Sequence, residues 1–466
     1  MKKQALNEND NKIGRQYHRN LEGRLMVIKK WSIIIVLIII LSCRCFALAD
    51  TAATTATAGA TGKTFYFRGA FYLDWMGFKT GDSELYNRLS TRLNATLWNR
   101  PGDGWTMFID VRNRYTMGEG GNNQLILYDV RLSFDSLKSK LFFALGQMNL
   151  YDTAGIGQLT GGLAGFKLNR YLAAGIYGGF EPDIYNTKWN TAYQKYGIFA
   201  RYIGHGAKQV SLSYNLVRFE SKNERQFIYV SALLPLNRYF ILYGNVEYEL
   251  DPLVKSPDRL SRLFVNARVN LTKYADVTAH YSSGRGLDYH QFLLEQSQDP
   301  TSQNNEIERF YYNETYGVRL SIKPFKDVRF YLSRQESTQK DLEIKNHTTG
   351  FGVSVYDLLK SGVSLYGNYN LNRGEASESD TYYISASKNF GKLSWSLSYA
   401  NYYNGVRFSG SGTPEIVRIL LPDQQTYSTD LFLILSRWLA ISLDYSYLAQ
   451  TGSPQHQFFV RLILRK

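Results

Sequence analysis

Residues 393–399 read Leu-Ser-Trp-Ser-Leu-Ser-Tyr, four large side chains each separated from the next by a serine. A period of two belongs to a strand, whose successive side chains leave on opposite faces. Residues 439–447 repeat the pattern: Ile441, Leu443, Tyr445 and Tyr447 alternate with Ser442, Asp444 and Ser446. In 262–271, Leu263, Val265, Ala267, Val269 and Leu271 alternate with Arg262, Asn266, Arg268 and Asn270. A soluble sandwich also alternates, but its apolar face packs on a second sheet. Here one face is rich in Tyr and Leu and the other is small, polar or charged. That is the pattern of a strand with lipid on one side and water on the other.

Working outward, no stretch from Lys63 to Lys466 has a sustained helical period. The chain divides instead into alternating segments of about ten residues, the length of a tilted membrane-spanning strand. The segmentation gives about 22 strands, with 18–24 compatible, starting near Thr64 and ending near Leu464. Every second connection is short: 99–104, 136–138, 168–170, 205–207, 234–237, 272–273, 323–326, 356–360, 390–391 and 436–438. The intervening ones are mostly longer, among them 75–86, 149–161, 251–259, 285–308 and 404–424. Only 221–223 is short on the long side, where the count is least secure. Short turns at one rim and long loops at the other predict a closed, antiparallel barrel whose neighbours in sequence pair in space. Proline lacks the N–H a ladder needs, and all ten prolines fall at or beyond segment ends. Trp98, Trp105, Tyr171, Tyr239, Phe325, Phe390 and Trp438 flank the short turns, as amphipathic rings at a membrane interface do.

Composition agrees. Tyr (36) and Phe (26) are abundant while Pro is only 10, which suits many strands with two unlike faces. The mean hydropathy of −0.31 is far too low for a helical membrane protein. The one long apolar run, residues 31–41, is too short to span as a helix and reads as part of a secretory signal. Lys29 and Lys30 precede it, Ile33 to Leu41 form its apolar stretch, and Ala47-Leu48-Ala49 is a small-x-small cleavage site. Met26 then reads as the start of translation and Asp50 as the first mature residue. The organisation expected is a leader at 1–49, an Ala/Thr-rich tail at 50–62 and a barrel at 63–466. Both cysteines, Cys43 and Cys45, fall in the leader, so the mature chain has no disulfide, thiolate metal site or thioether haem. Without the leader 45 basic and 37 acidic residues remain, a net +8. They are dispersed along the chain, which argues against nucleic acid as a partner.

These features resemble the porin-like outer-membrane β-barrel proteins of Gram-negative-type bacteria, over Lys63 to Lys466. The final strand carries Phe458, Val460, Leu462 and Leu464 on one face, as that class does, but ends Leu464-Arg465-Lys466 rather than on an aromatic residue. The resemblance implies export to the outer membrane, contact with its lipid and assembly by the barrel-insertion machinery.

Chemistry-bearing motifs are sparse. There is no H-E-x-x-H, G-x-S-x-G or P-loop, and Gly155-Ile156-Gly157 with Gly161 misses the dinucleotide fingerprint by one residue. The sequence therefore gives no catalytic residue, no metal site, no cofactor and no enzyme. His280 beside Ser282 is the nearest approach to a catalytic pair, with no carboxylate placed to orient it. Alternation puts Asp110, Arg112, Arg114, Asp129, Arg131, Arg201, Glu247, Glu249, Arg268, His280, Arg319, Arg329 and Arg461 on the inward face, because outward Arg or Lys costs roughly 2–4 kcal/mol at the bilayer midplane. A polar lumen implies a channel for solutes or ions, narrowed by an infolded loop, for which 285–308 is the candidate. The alternative is a barrel sheathing a multihaem cytochrome partner in an electron conduit, and a barrel enzyme is a minor third reading.

Overall fold

The computed structural model describes residues 66–466 except 82, 84, 100–103, 118–120, 151–154, 183–189, 221, 252–258, 286–311, 341–343, 376, 410–415, 421–422 and 451–452. The expected leader, the 50–62 tail and nearly all of 285–308 lie outside the described residues.

The first strands are β1 (Tyr66–Thr80), β2 (Tyr86–Trp98), β3 (Trp105–Met117), β4 (Asn123–Asp135), β5 (Leu141–Asn149), β6 (Gln158–Lys167), β7 (Leu172–Phe180) and β8 (Tyr193–Ile203). Next come β9 (Gln209–Phe219), β10 (Lys222–Pro235), β11 (Phe240–Asp251), β12 (Leu260–Asn270), β13 (Ala275–Arg285), β14 (Tyr312–Phe325), β15 (Val328–Gln339) and β16 (Ile344–Val355). The last are β17 (Val363–Gly374), β18 (Ser377–Phe390), β19 (Leu393–Ser409), β20 (Ile416–Leu420), β21 (Gln424–Ile434), β22 (Leu439–Gln450) and β23 (Gln455–Arg465). Each pairs antiparallel with its sequence neighbour, and β1 closes on β23 from Ala70 opposite Arg465 to Thr80 opposite Gln455. Closure removes the sheet edge, so every strand of the wall has a partner on both sides, while β20 pairs with β19 alone.

The wall contains 22 of these strands. β19 is long enough to serve two partners. Its first part, Leu393 to Tyr402, pairs with β21, and its last part, Gly405 to Ser409, pairs with β20. β20 is thus a hairpin extending beyond the wall, and the segment 404–424, expected as loop, contains paired strand. Its Ile-Val-Arg-Ile-Leu sequence is rich in β-branched residues, which favour that extension. The doubtful connection at 221–223 is a tight turn, with Lys222 opposite Phe219 and Glu220 left-handed at φ 46°, so no strand is lost there. β14 runs three residues into the predicted turn at 323–326, ending at Phe325. Pro324 is accommodated because it sits in a register shift between Ile322 and Phe325.

Twenty-two strands about 4.8 Å apart and tilted by about 40° give a backbone diameter of roughly 44 Å. The outer face carries large apolar side chains open to the surroundings, such as Ile176 (62% exposed), Ile198 (58%) and Ile384 (60%). The residues between them turn to the opposite face and pair with one another there.

Candidate solute pathway

Register fixes which side chains share the inner face. Asn94 lies opposite Asp110, and Arg92 opposite Arg112. On that face Arg92 donates to Asp110 through Nε (2.7 Å) and Nη2 (2.6 Å), and Asn94 adds a third bond at 3.1 Å. Arg112 reaches Ser90 Oγ at 3.1 Å and Asp74 at 3.8 Å. Arg461 clamps the same Asp74 at 2.8 and 3.2 Å, tying β23 to β1 across the closure. Arg114 stands two residues beyond Arg112, and its Nε is buried without an acceptor among the described residues.

Further round the wall, Arg131 lies 3.5 Å from Asp129 and over the Phe108 ring at 4.8 Å. Arg201 reaches Asp135 at 3.6 Å and covers the Phe142 ring at 5.0 Å. Glu247 and Glu249 share Arg225, whose Nε bonds Glu249 at 2.6 Å, while Ser261 donates to Glu247 at 2.9 Å. Arg268 and Arg329 approach Asp276 at 3.4 Å each. Arg319 stacks on the Tyr331 ring at 3.7 Å. His280 faces the same way, opposite Asn266 and Gly317, with Ser282 next along the strand. None of this resembles a catalytic array, since the carboxylates are engaged by guanidinium groups. Alternation found both partners of Asp129–Arg131 but only one side of the other ion pairs, missing Asp74, Arg92, Asp135, Arg225 and Asp276. Their parity was readable, but which strands bring them together depends on register.

One described segment folds into the lumen. Ile156 is fully buried, as are Met148 and Leu159, and they cluster with Leu150, Phe142, Leu163, Tyr177 and Phe199. Phe142, Leu163, Tyr177 and Phe199 share the inner face of β5 to β8 by register. Glycine makes the seat: Gly165 and Gly175 lie beneath the Phe142 and Phe199 rings, where a β-carbon has no room. The segment is pinned at its neck by Leu150 N–H donating to Gly157 O at 2.8 Å. Gly155, left-handed at φ 64°, lies against the ring of Tyr229 on β10. It therefore crosses the inner wall well beyond its own strands. The infolded loop expected at 285–308 lies outside the described residues.

At the rim with short turns, a cavity of about 560 Å³ is lined by Arg238, Arg268, Lys273 and Lys323 around the single acid Asp276. The opposite, apolar face of the wall admits one environment. On β15 the outward residues Phe330 and Leu332 are 38% and 54% exposed, and on β4 Leu125 is 57% exposed. A continuous outward apolar band that size is incompatible with water and suits hydrocarbon. The barrel spans a membrane. Aromatic rings mark its short-turn border, including Trp105, Tyr239, Phe390 and Trp438.

No protein-family model matches the sequence, and no curated protein matches it. Several solved structures are similar in outline. OccK3 (OpdO) of Pseudomonas aeruginosa has a TM-score of 0.42 and 9% identity, over 86% of this chain and 95% of that one. OccD3 (OpdP) of Pseudomonas aeruginosa has 0.42 and 9%, over 88% and 93%. OccAB4 of Acinetobacter baumannii has 0.42 and 9%, over 88% and 100%. At that identity the likeness is one of architecture, and the fold rests on the strand pairing described above.

Proposed function

We propose that this outer-membrane barrel is a porin-like channel that passes solutes or ions. The observation that carries the reading is the inner face: a closed wall of 22 strands lined by ion pairs, hydroxyls and amides, with the apolar side chains of the inner face gathered on β5 to β8 around Ile156. Such a lining is stable only when wet, because buried charges otherwise carry a desolvation cost of several kcal/mol each. Residues 155–157, seated on the inner face, narrow the lumen on the β5–β10 side. Asp110, Arg112, Arg114, Asp129, Arg131, Arg201, Glu247, Glu249, Arg268, His280, Arg319, Arg329 and Arg461 line the pathway in this reading. The test is swelling of proteoliposomes in isotonic small solutes: reconstituted barrel should swell them at a rate that falls with solute size. Folded barrel that leaves them unswollen sinks the reading.

The width favours a second reading. A lumen set in a backbone cylinder of roughly 44 Å has room for a folded partner such as a multihaem cytochrome. A haem-containing protein that co-purifies with the barrel from its native membrane, and blocks swelling when added back, would replace the first reading with the second.

A further inference from the structure

The inner wall is divided into two unlike arcs. The charged side chains described above come from β1 to β15 and β23, and Asp430 on β21 and Asp444 on β22 have the same inward parity. On the four consecutive strands β16 to β19, no described residue places a charged side chain on the inner face. Lys345, His347, Arg373 and Lys388 all have the outward parity there. Apart from Ile344 at the end of β16, the inner positions with described side chains are Ser, Thr, Asn, Gly, Ala and Tyr. The charged arc holds ion pairs such as Arg92–Asp110, Arg225–Glu247 and Arg461–Asp74. In the neutral arc the side-chain oxygens of Asn346 and Asn368 are buried acceptors without a donor among the described residues.

Tyrosines run along this arc at nearly one level. Tyr331 lies flat over Gly352, where no β-carbon fits, and its hydroxyl meets that of Tyr366 at 3.3 Å. The rings of Tyr366 and Tyr383 are 5.8 Å apart, and Asn368 donates to the Tyr366 hydroxyl at 3.3 Å. Register sets Asn368 beside Tyr383, and Asn370 opposite Thr381.

From this arrangement, and resting on the channel reading above, we propose that the β16–β19 arc is a binding track for uncharged, polyhydroxylated solutes of the sugar class. Such solutes have alternating hydroxyls and flat, weakly polar C–H faces. Amides and hydroxyls each both donate and accept, so they can exchange hydrogen bonds with solute hydroxyls in either sense. A tyrosine ring offers an apolar face beside a polar tip, matching both parts of a pyranose. A charged solute gains little on β16 to β19 themselves, because it would leave its hydration shell for groups that carry no countercharge; the inward cation Arg319, stacked on Tyr331 of β15, stands at the arc's border.

The test uses single channels of the full-length barrel in a planar bilayer, with maltotriose as the neutral probe and citrate as the charged one. Maltotriose should interrupt the current in resolved events at millimolar concentration, and citrate should not. The double variant Tyr366→Ala/Tyr383→Ala should weaken the maltotriose block about tenfold, as loss of about 1.4 kcal/mol of contact requires. Tyr366→Phe/Tyr383→Phe, which keeps both rings, should retain most of it, and Tyr382→Ala on the lipid face should leave it unchanged. Conducting channels indifferent to maltotriose, or blocked by citrate alone, overturn the track and leave the channel intact. Folded barrels that carry no current overturn the channel reading and the track with it.

Discussion

Replacing Ile156 by aspartate should unseat residues 155–157 and enlarge the pore. Ile156 is fully buried, packed against Met148 and Leu159, which are equally inaccessible. Truncating a buried Ile, Leu or Met to Ala costs about 2–5 kcal/mol, and a carboxylate in the same seat adds its own desolvation. The only described backbone bond across the segment's neck is Leu150 to Gly157, so little else opposes release. A loss of about 2.8 kcal/mol changes the seated-to-unseated ratio about a hundredfold. Ile156→Asp should therefore show a higher unitary conductance, or rapid switching between two levels, where the parent shows one. Ile156→Val, costing about 0.5–1.5 kcal/mol, should keep a single level. Barrel folding is checked separately by the heat-dependent shift in gel mobility. Folded Ile156→Asp channels with the parent's conductance and noise would show that the segment does not bound the conducting path.

Other perturbations test the wall itself. Arg225→Ala strands the buried Glu249 beside Glu247 and should cost about 3–5 kcal/mol in urea unfolding; pairing it with Glu247→Gln and Glu249→Leu should recover most of that loss. Leu332→Arg, on the lipid face, should destabilise the barrel by roughly 2–4 kcal/mol, while Thr348→Arg, on the inner face, should be near neutral, and the reverse order would invert the face assignment. Arg112→Glu with Arg114→Glu should move the zero-current potential in a salt gradient towards cation preference; no movement would place these arginines outside the ion path.

The alternation in 393–399 and 439–447 is a local signal, and it made strand number, faces and closure legible because lipid and water impose the same period on every strand. Three features were not legible, each for a reason in the chain. The β20 hairpin stands beyond the wall, where no lipid face imposes a period on Ile416 to Leu420. The seat for Ile156 is written in Gln158–Lys167 and Leu172–Phe180, where both faces are apolar or glycine and alternation carries no contrast. An inner face of Phe142, Leu163 and Tyr177 was itself the sign that something covers it. The pairing of Arg225 with Glu247 and Glu249 lies at a register shift between β10 and β11, at Gln226 and Phe227, which no period reveals. The neutral arc was readable from parity on β16 to β19, but only once those strands are seen as consecutive staves of one wall.

The central claim is that a closed wall of 22 strands encloses a wet, passable lumen. The most direct test is single-channel conductance of the purified, refolded protein in a planar bilayer. A large, steady conductance in stepwise unitary insertions is the predicted result. Barrel shown to be folded by its mobility shift, inserted and yet electrically silent would contradict it.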